Sequence, residues 1–229
     1  ETEFLGYRQT AADATVRGLI VAGQSQQTAS EGDEVTVVLD RTPFYAESGG
    51  QVGDTGYLVS PGAKLEVRDT TKAQGHHLHH ARVVEGAIDL ETQVAATIDN
   101  SLRLRIKSNH SATHLMHEAL RQVLGEHVQQ KGSLVDADKL RFDFSHSEAV
   151  SASELARVAQ IVNDQVRNNS EVLTQEMGMD DAVAAGATAL FGEKYGEEVR
   201  VLTMGKDGNK AFSIELCGGT HVKNTYEIG

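Results

Sequence analysis

The chain has 229 residues, a formal net charge of −12 and a single cysteine. A lone cysteine excludes an intramolecular disulfide, and the acidic balance excludes autonomous, tight binding of nucleic acid, because phosphate contacts need clustered lysine and arginine. No apolar run approaches the roughly 20 residues of a membrane span, and no secretory leader opens the sequence.

Length and composition leave room for two modest domains. The chain opens at Glu1 and closes on "NTYEIG" in mid-pattern, so it reads as a piece of a longer protein. Residues 1–30 are polar with weak helical periodicity. From Glu34 the character changes: "EVTVVLD" (34–40) is β-branched and strand-like. "GDTG" (53–56) and "SPG" (60–62) read as turns, with short strands expected at 57–59, 64–69, 77–84 and 92–98. Several short strands at close spacing predict a small barrel or sandwich.

Past Asp99 the period becomes helical. Ala112, Leu115, Met116, Ala119, Leu120, Val123 and Leu124 recur at three and four, and Gly125 stops the run. "KLRFDFSH" (139–146) alternates like a strand. "SASE" (151–154) is a capping box for a second helix to about Asn168. A strand near 171–176, a short helix near 180–190 and strands near 198–204 and 210–216 follow, the last two joined by the turn "GKDGN" (205–209). The fold class is therefore α+β: a small N-terminal β-barrel-like domain over 1–98, then an α+β core over 99–229.

Two motifs carry chemistry. In "NHSATHLMHEAL" (109–120), His110 and His114 stand four apart, on one face of a helix and about 6 Å apart along its axis. In "ELCGGTHV" (215–222), Cys217 and His221 follow a strand, with Gly218 and Gly219 between them to let the backbone turn. Three imidazoles and a thiolate make a tetrahedral zinc shell. Cys217 has two other readings, an inert core thiol or a nucleophile activated by histidine. Ser111 after His110 rules out a H-E-x-x-H metalloprotease, whose general base would stand there. "HHLHH" (76–80) is expected to be a solvated strand, because alternation converges its histidines only in pairs.

Together these stretches resemble the editing domain of alanyl-tRNA synthetase. The resemblance runs nearly the whole chain, through "FLGY" (4–7), "TPFYAESGGQVGDTG" (42–56), "NHSATHLMHEALRQVLGEHVQQKGS" (109–133), "LRFDFSH" (140–146), "ALFGEKYG" (189–196) and "ELCGGTHV" (215–222). The paired H-x-x-x-H and C-x-x-x-H motifs are shared with free-standing alanyl-tRNA editing proteins and with the threonyl-tRNA synthetase editing domain.

The resemblance implies a cytoplasmic, zinc-containing editing core that hydrolyses the ester joining serine or glycine to the 3′ end of the alanine tRNA. The rest of a synthetase chain would supply most of the grip on tRNA. It implies Zn2+ at His110, His114, Cys217 and His221. It implies pocket roles for Thr113, Gln130 and Ser133, and recognition by Thr42 through Gln51, including Ser48, Gly49, Gly50 and Gln51. A pocket sized for alanine cannot strongly reject glycine, since one methyl is worth about 1–3 kcal/mol, so a second site must destroy errors. The hydroxyl of Thr113 or Thr42 could read the serine hydroxyl, although Thr113 could instead bond back to its own helix. Gln130 would position the attacking water and Ser133 would donate to the ester carbonyl. Four protein ligands close a metal site, so substrate engagement is expected to loosen His221. The alternatives are a zinc-stabilised RNA-binding module without catalysis and a free-standing editing protein.

Overall fold

Alternation of inward and outward side chains builds the first part of the molecule. The structure is a computed structural model that describes residues 1–189 and 195–229. It divides into two compact units, Glu1–Ser48 with Val52–Arg103 and Gly49–Gln51 with Leu104–Gly229. The fold class is α+β, with the small N-terminal β-barrel that the strand spacing predicts.

Six strands close that barrel: β1 (Ala11–Val21), β2 (Glu34–Leu39), β3 (Gly56–Ser60), β4 (Ala63–Ala73), β5 (His76–Asp89) and β6 (Gln93–Ile98). Around it the order is β6, β3, β4, β5, β2 and β1, and β1 pairs back onto β6. All six pairings are antiparallel, so these strands leave no open edge among themselves. Val16, Leu19, Val37, Leu39, Leu58, Leu65 and Val83 point inward and are buried.

Two expectations fail here. The weak helical period read in residues 1–30 gives way to β1, an 11-residue strand. A register shift between Val16 and Gly18 breaks its alternation, so Val16 and Leu19 both face inward, three apart as on a helix. The "HHLHH" strand is not solvated on its His77 and His79 face, where both rings are buried. The His77 ring stacks on Phe4, and the His79 ring meets Phe44 edge to face. Burial pushes both pKa values down to about 4, so aromatic packing replaces hydration of the charged form.

Arg103 ties the first unit internally. It is almost fully buried and forms an ion pair with the buried Asp54. It also donates to the Gly6 carbonyl at 2.7 Å and the Pro43 carbonyl at 3.0 Å. Asp54 accepts in turn from the Tyr45 N–H at 2.8 Å. Arginine can serve a carboxylate and two carbonyls at once because its planar head presents five donors.

The second unit is built on α1 (Asn100–Leu124), from Leu104 onward, with α2 (Ala152–Arg167) and two small sheets. One sheet pairs β7 (Gln130–Val135) with β8 (Leu140–Phe144). The other has the order β9 (Leu173–Gly178), β10 (Glu198–Asp207), β11 (Lys210–Leu216), all antiparallel. A short helix α3 (Met179–Ala184) precedes β10. The helix expected to residue 190 ends at Ala184, because Gly186 takes a left-handed backbone (φ +84) that turns the chain, and residues 187–189 are not helical. Residue 190 and most of the "ALFGEKYG" stretch fall on 190–194, outside the described residues. Ser151 caps α2, and its backbone N–H is capped in return by Glu154, as the capping box predicts. The stripe Leu115, Ala119 and Leu120 of α1 packs into a core with Val158, Val166, Leu202, Met204, Phe212 and Cys217. Gln130 opens strand β7, which the sequence does not announce because its Gly-Ser composition resembles a turn. Among the described residues no helix is long and apolar enough to cross a membrane.

Replacing Arg103 by Ala would leave the Asp54 carboxylate buried without its counter-charge. We expect a loss of about 3–5 kcal/mol in unfolding free energy, read as a lowered urea midpoint.

Candidate metal centre

The ligand-bearing residues reach one point from two elements. α1 carries His110, His114 and His117 at successive turns on one stripe. The chain leaving β11 carries Cys217 and His221. Among the described residues, His110, His114, Cys217 and His221 form the one cluster suited to a metal, with ligand atoms all within 4.8 Å of one another and all four residues buried. Cys217 Sγ lies 3.6 Å from His110 Nε2 and 3.3 Å from His221 Nε2. Bonds of about 2.0–2.3 Å in a tetrahedron separate neighbouring ligand atoms by about 3.4–3.6 Å, so these spacings fit a tetrahedrally held ion.

The outer contacts fix which nitrogen of each ring faces inward. His110 Nδ1 lies 2.8 Å from Gln51 Oε1, His114 Nδ1 is 2.9 Å from Glu215 Oε1, and His221 Nδ1 is 3.2 Å from Ser111 Oγ. Amide oxygen and carboxylate accept from Nδ1–H of His110 and His114, which leaves Nε2 of each ring as its candidate ligand atom. His114 Nε2 is buried with no hydrogen-bond partner among the described residues. A buried polar atom without a partner is costly, and a cation at the centre of the cluster would take its place among the ligands.

The charges agree. Burial alone would raise the Cys217 thiol, but His110, His221 and His114 outweigh it and hold the pKa well below the usual thiol range. Burial would also raise Glu215, yet His114 and His117 hold its pKa at about 2. Burial lowers His114, but the Cys217 thiolate and the Glu215 carboxylate overcome it and push the pKa up to about 10. His221 goes the other way, to about 3, pushed down by burial with its neighbouring imidazoles. Two buried anions thus flank His114, and one positive charge must stand between them. A divalent cation at the four ligand atoms would supply that charge in place of the His114 Nε2 proton.

Two glycines make the approach possible. A Cβ on Gly219 would sit 2.2 Å from His110 Cε1. Gly219 is therefore needed for contact with the imidazole, beyond the turn that the sequence suggests. Gly50 has φ +85, and a Cβ there would lie 2.6 Å from the Ser133 carbonyl oxygen. This close approach sets residues 49–51 alongside β7, with the Val135 N–H donating to the Gly50 carbonyl at 2.8 Å. Gln51 is thereby delivered to the centre. Its Oε1 also accepts from the Thr220 N–H at 2.9 Å, and its Nε2 donates to Thr220 Oγ1 at 2.8 Å.

The expected pocket residues are placed as follows. Thr113, Gln130, Ser133 and Gly49 line one small cavity with His110, His114, His117, Phe142 and Glu215. Its free space, about 10 Å³ for the centre of a water, is about one water's worth. The Thr113 hydroxyl donates to the Asn109 carbonyl at 2.8 Å, the back-bond common for helical threonine, and keeps its lone pairs for the cavity. Thr42 lies in the first unit with its hydroxyl fully used. It lies 2.8 Å from His79 Nε2 and accepts from the Phe44 N–H at 3.1 Å. Ser48 is exposed, and its carbonyl accepts from the Tyr45 hydroxyl at 3.1 Å.

Sequence reading passed over Glu215, His117 and Ser111. The signals were present: His117 is one turn beyond His114, and Glu215 is two before Cys217 on a strand. Neither spacing by itself indicates that the two residues meet. We expect Gln51→Ala to weaken divalent-metal binding about 10–100-fold in a chelator-competition titration. Unchanged affinity would return Gln51 to substrate contact alone.

A family model of class II (A) tRNA synthetases matches residues 1–102, and one of the threonyl and alanyl tRNA synthetase second additional domain matches residues 199–229. The chain is 56% identical over 227 residues to an alanine–tRNA ligase of Pseudomonas entomophila strain L48, covering 99% of this chain and 26% of that protein. It is 53% identical over 228 residues to the alanine–tRNA ligase of Saccharophagus degradans, again covering 26% of the relative. The chain therefore spans about a quarter of the length of these curated relatives.

Proposed function

We propose that this chain, similar to about a quarter of the length of alanine–tRNA ligases and matching the threonyl and alanyl tRNA synthetase second additional domain at residues 199–229, is an editing domain of that family that hydrolyses the aminoacyl ester of alanine tRNA mischarged with serine or glycine. The observation that carries this reading is a cavity against the four-ligand cluster, lined by Thr113, Gln130 and Ser133. The partner is the tRNA 3′ end, with the main grip coming from elsewhere in a synthetase chain, as the net charge of −12 requires. The working division is a barrel domain over 1–98 and an editing core over 99–229.

Zn2+ is the ion that three imidazoles and one thiolate suit, held by His110, His114, Cys217 and His221. When bound it would supply positive charge and Lewis acidity beside the ester. The chain's own residues do the sorting. Thr113 gives its proton to the Asn109 carbonyl and so offers the pocket only acceptor lone pairs. A serine hydroxyl donates to them, whereas alanine leaves them unpaired at a cost of about 1–3 kcal/mol. Thr42, both of whose hydrogen-bonding roles are used, is the weaker candidate for this reading and serves better to hold the 42–48 loop. Ser48, Gly49 and Gly50 present backbone to the terminal adenosine, while Gln51 supports His110. Gln130 orients the water, and Ser133 donates to the ester carbonyl. A seryl group is larger than one water, so entry requires a lining group of the cavity to move.

The test is deacylation of serine-, glycine- and alanine-charged alanine tRNA by this chain, with and without chelator. We expect serine and glycine to be released, alanine to be spared, and chelation or Cys217→Ala to abolish the activity. Equal cleavage of all three esters would remove the discrimination by Thr113. Absence of cleavage by the zinc-loaded chain would leave only the non-catalytic, metal-stabilised module.

A further inference from the structure

A metal accounts for one orphaned nitrogen in the site and leaves another unexplained. Among the described residues, both His114 Nε2 and His117 Nε2 are buried without a hydrogen-bond partner. His114 belongs to the four-ligand cluster, and His117 does not. Yet the two rings are held in the same way, by the two oxygens of one carboxylate. His114 Nδ1 is 2.9 Å from Glu215 Oε1, and His117 Nδ1 is 2.9 Å from Glu215 Oε2.

With Nδ1 held against Glu215 Oε2, Nε2 points away from the carboxylate and is the ring nitrogen left to exchange a proton. The ring is further fixed by Phe142, whose centroid lies 5.0 Å from that of His117. His117 is only 3% exposed and lines the water-sized cavity together with Thr113, Gln130 and Ser133. A histidine that only braced Glu215 would leave Nε2 buried without a partner, which costs stability for no return. A carboxylate-oriented imidazole with a free lone pair beside a water-sized space is the arrangement of a general base.

The geometry points to His117 Nε2 as the general base of the ester hydrolysis proposed above, on which this inference rests. Nε2 takes a proton from water as the water oxygen bonds to the ester carbonyl carbon. The carbon–oxygen bond to the ribose then breaks, and the proton passes from the imidazolium to the leaving ribose oxygen. Free amino acid and uncharged tRNA result, and the imidazole returns to its starting state. Gln130 orients the water, and Glu215 acts through His117 as a positioning residue.

The experiment uses the whole zinc-loaded chain and compares wild type with His117→Asn and His117→Ala on serine-charged alanine tRNA. We expect kcat to fall about 10²–10⁴-fold in both variants, with KM and zinc content unchanged. Added imidazole should restore part of the rate of His117→Ala, which a merely structural loss would not allow. Near-wild-type kcat in either variant overturns the assignment. So does loss of zinc along with activity, which would make His117 a support of the metal. At tRNA concentrations high enough to offset the missing grip of the rest of the synthetase, an inactive wild type overturns the editing reading itself, and the base falls with it, so the two failures are told apart by the wild-type control.

Discussion

A single buried carboxylate organises the second unit's chemistry. Glu215 is 4% exposed, and an ionised carboxylate in that setting must be fully paired or it will not stay ionised. Its two oxygens take the Nδ1 protons of two imidazoles from one helix stripe, His114 and His117. That one contact pins β11 to α1, sets both tautomers and turns both Nε2 atoms away from the carboxylate. His114 then joins Cys217 in the four-ligand cluster, and His117 lines the cavity. The metal-ligand stripe and the cavity wall are thus two consequences of the same pairing.

The other rings are held on the same plan with weaker acceptors. His110 leans on the Gln51 amide and His221 lies against the Ser111 hydroxyl. Gln51 reaches its place only because Gly50 adopts a left-handed backbone against Ser133, and His110 fits only because Gly219 has no side chain. Glycine serves close approach at both points, which is why the "SGGQ" and "CGGTH" stretches depend on each other although about 170 residues separate Gln51 from Thr220.

Much of the architecture was legible because it is local. The capping box at Ser151 and Glu154, the helical stripe of α1, the β-branched run of β2 and the alternation of β8 are short-range patterns that backbone geometry reads directly. Where a pattern was disturbed, the reading failed. The register shift in β1 imitates a helical spacing of inward residues. The buried histidines of β5 look polar on paper, and contacts distant in sequence, Phe4 against His77 and Phe44 with Thr42 against His79, make them part of the packing.

The sequence by itself determined the secondary-structure periods, the α+β class and the H-x-x-x-H and C-x-x-x-H spacings that made a metal cluster conceivable. Tertiary structure alone decided that these spacings meet. It also placed Gln51 beside His110, gave Thr113's proton to Asn109, filled both hydrogen-bonding roles of Thr42 and set Glu215 between two histidines. The physical reason is that helical and strand periods are encoded within a few residues. Hydrogen-bond partners around a buried charge are chosen by proximity after folding, across separations of about a hundred residues in the case of Glu215 with His114 and His117.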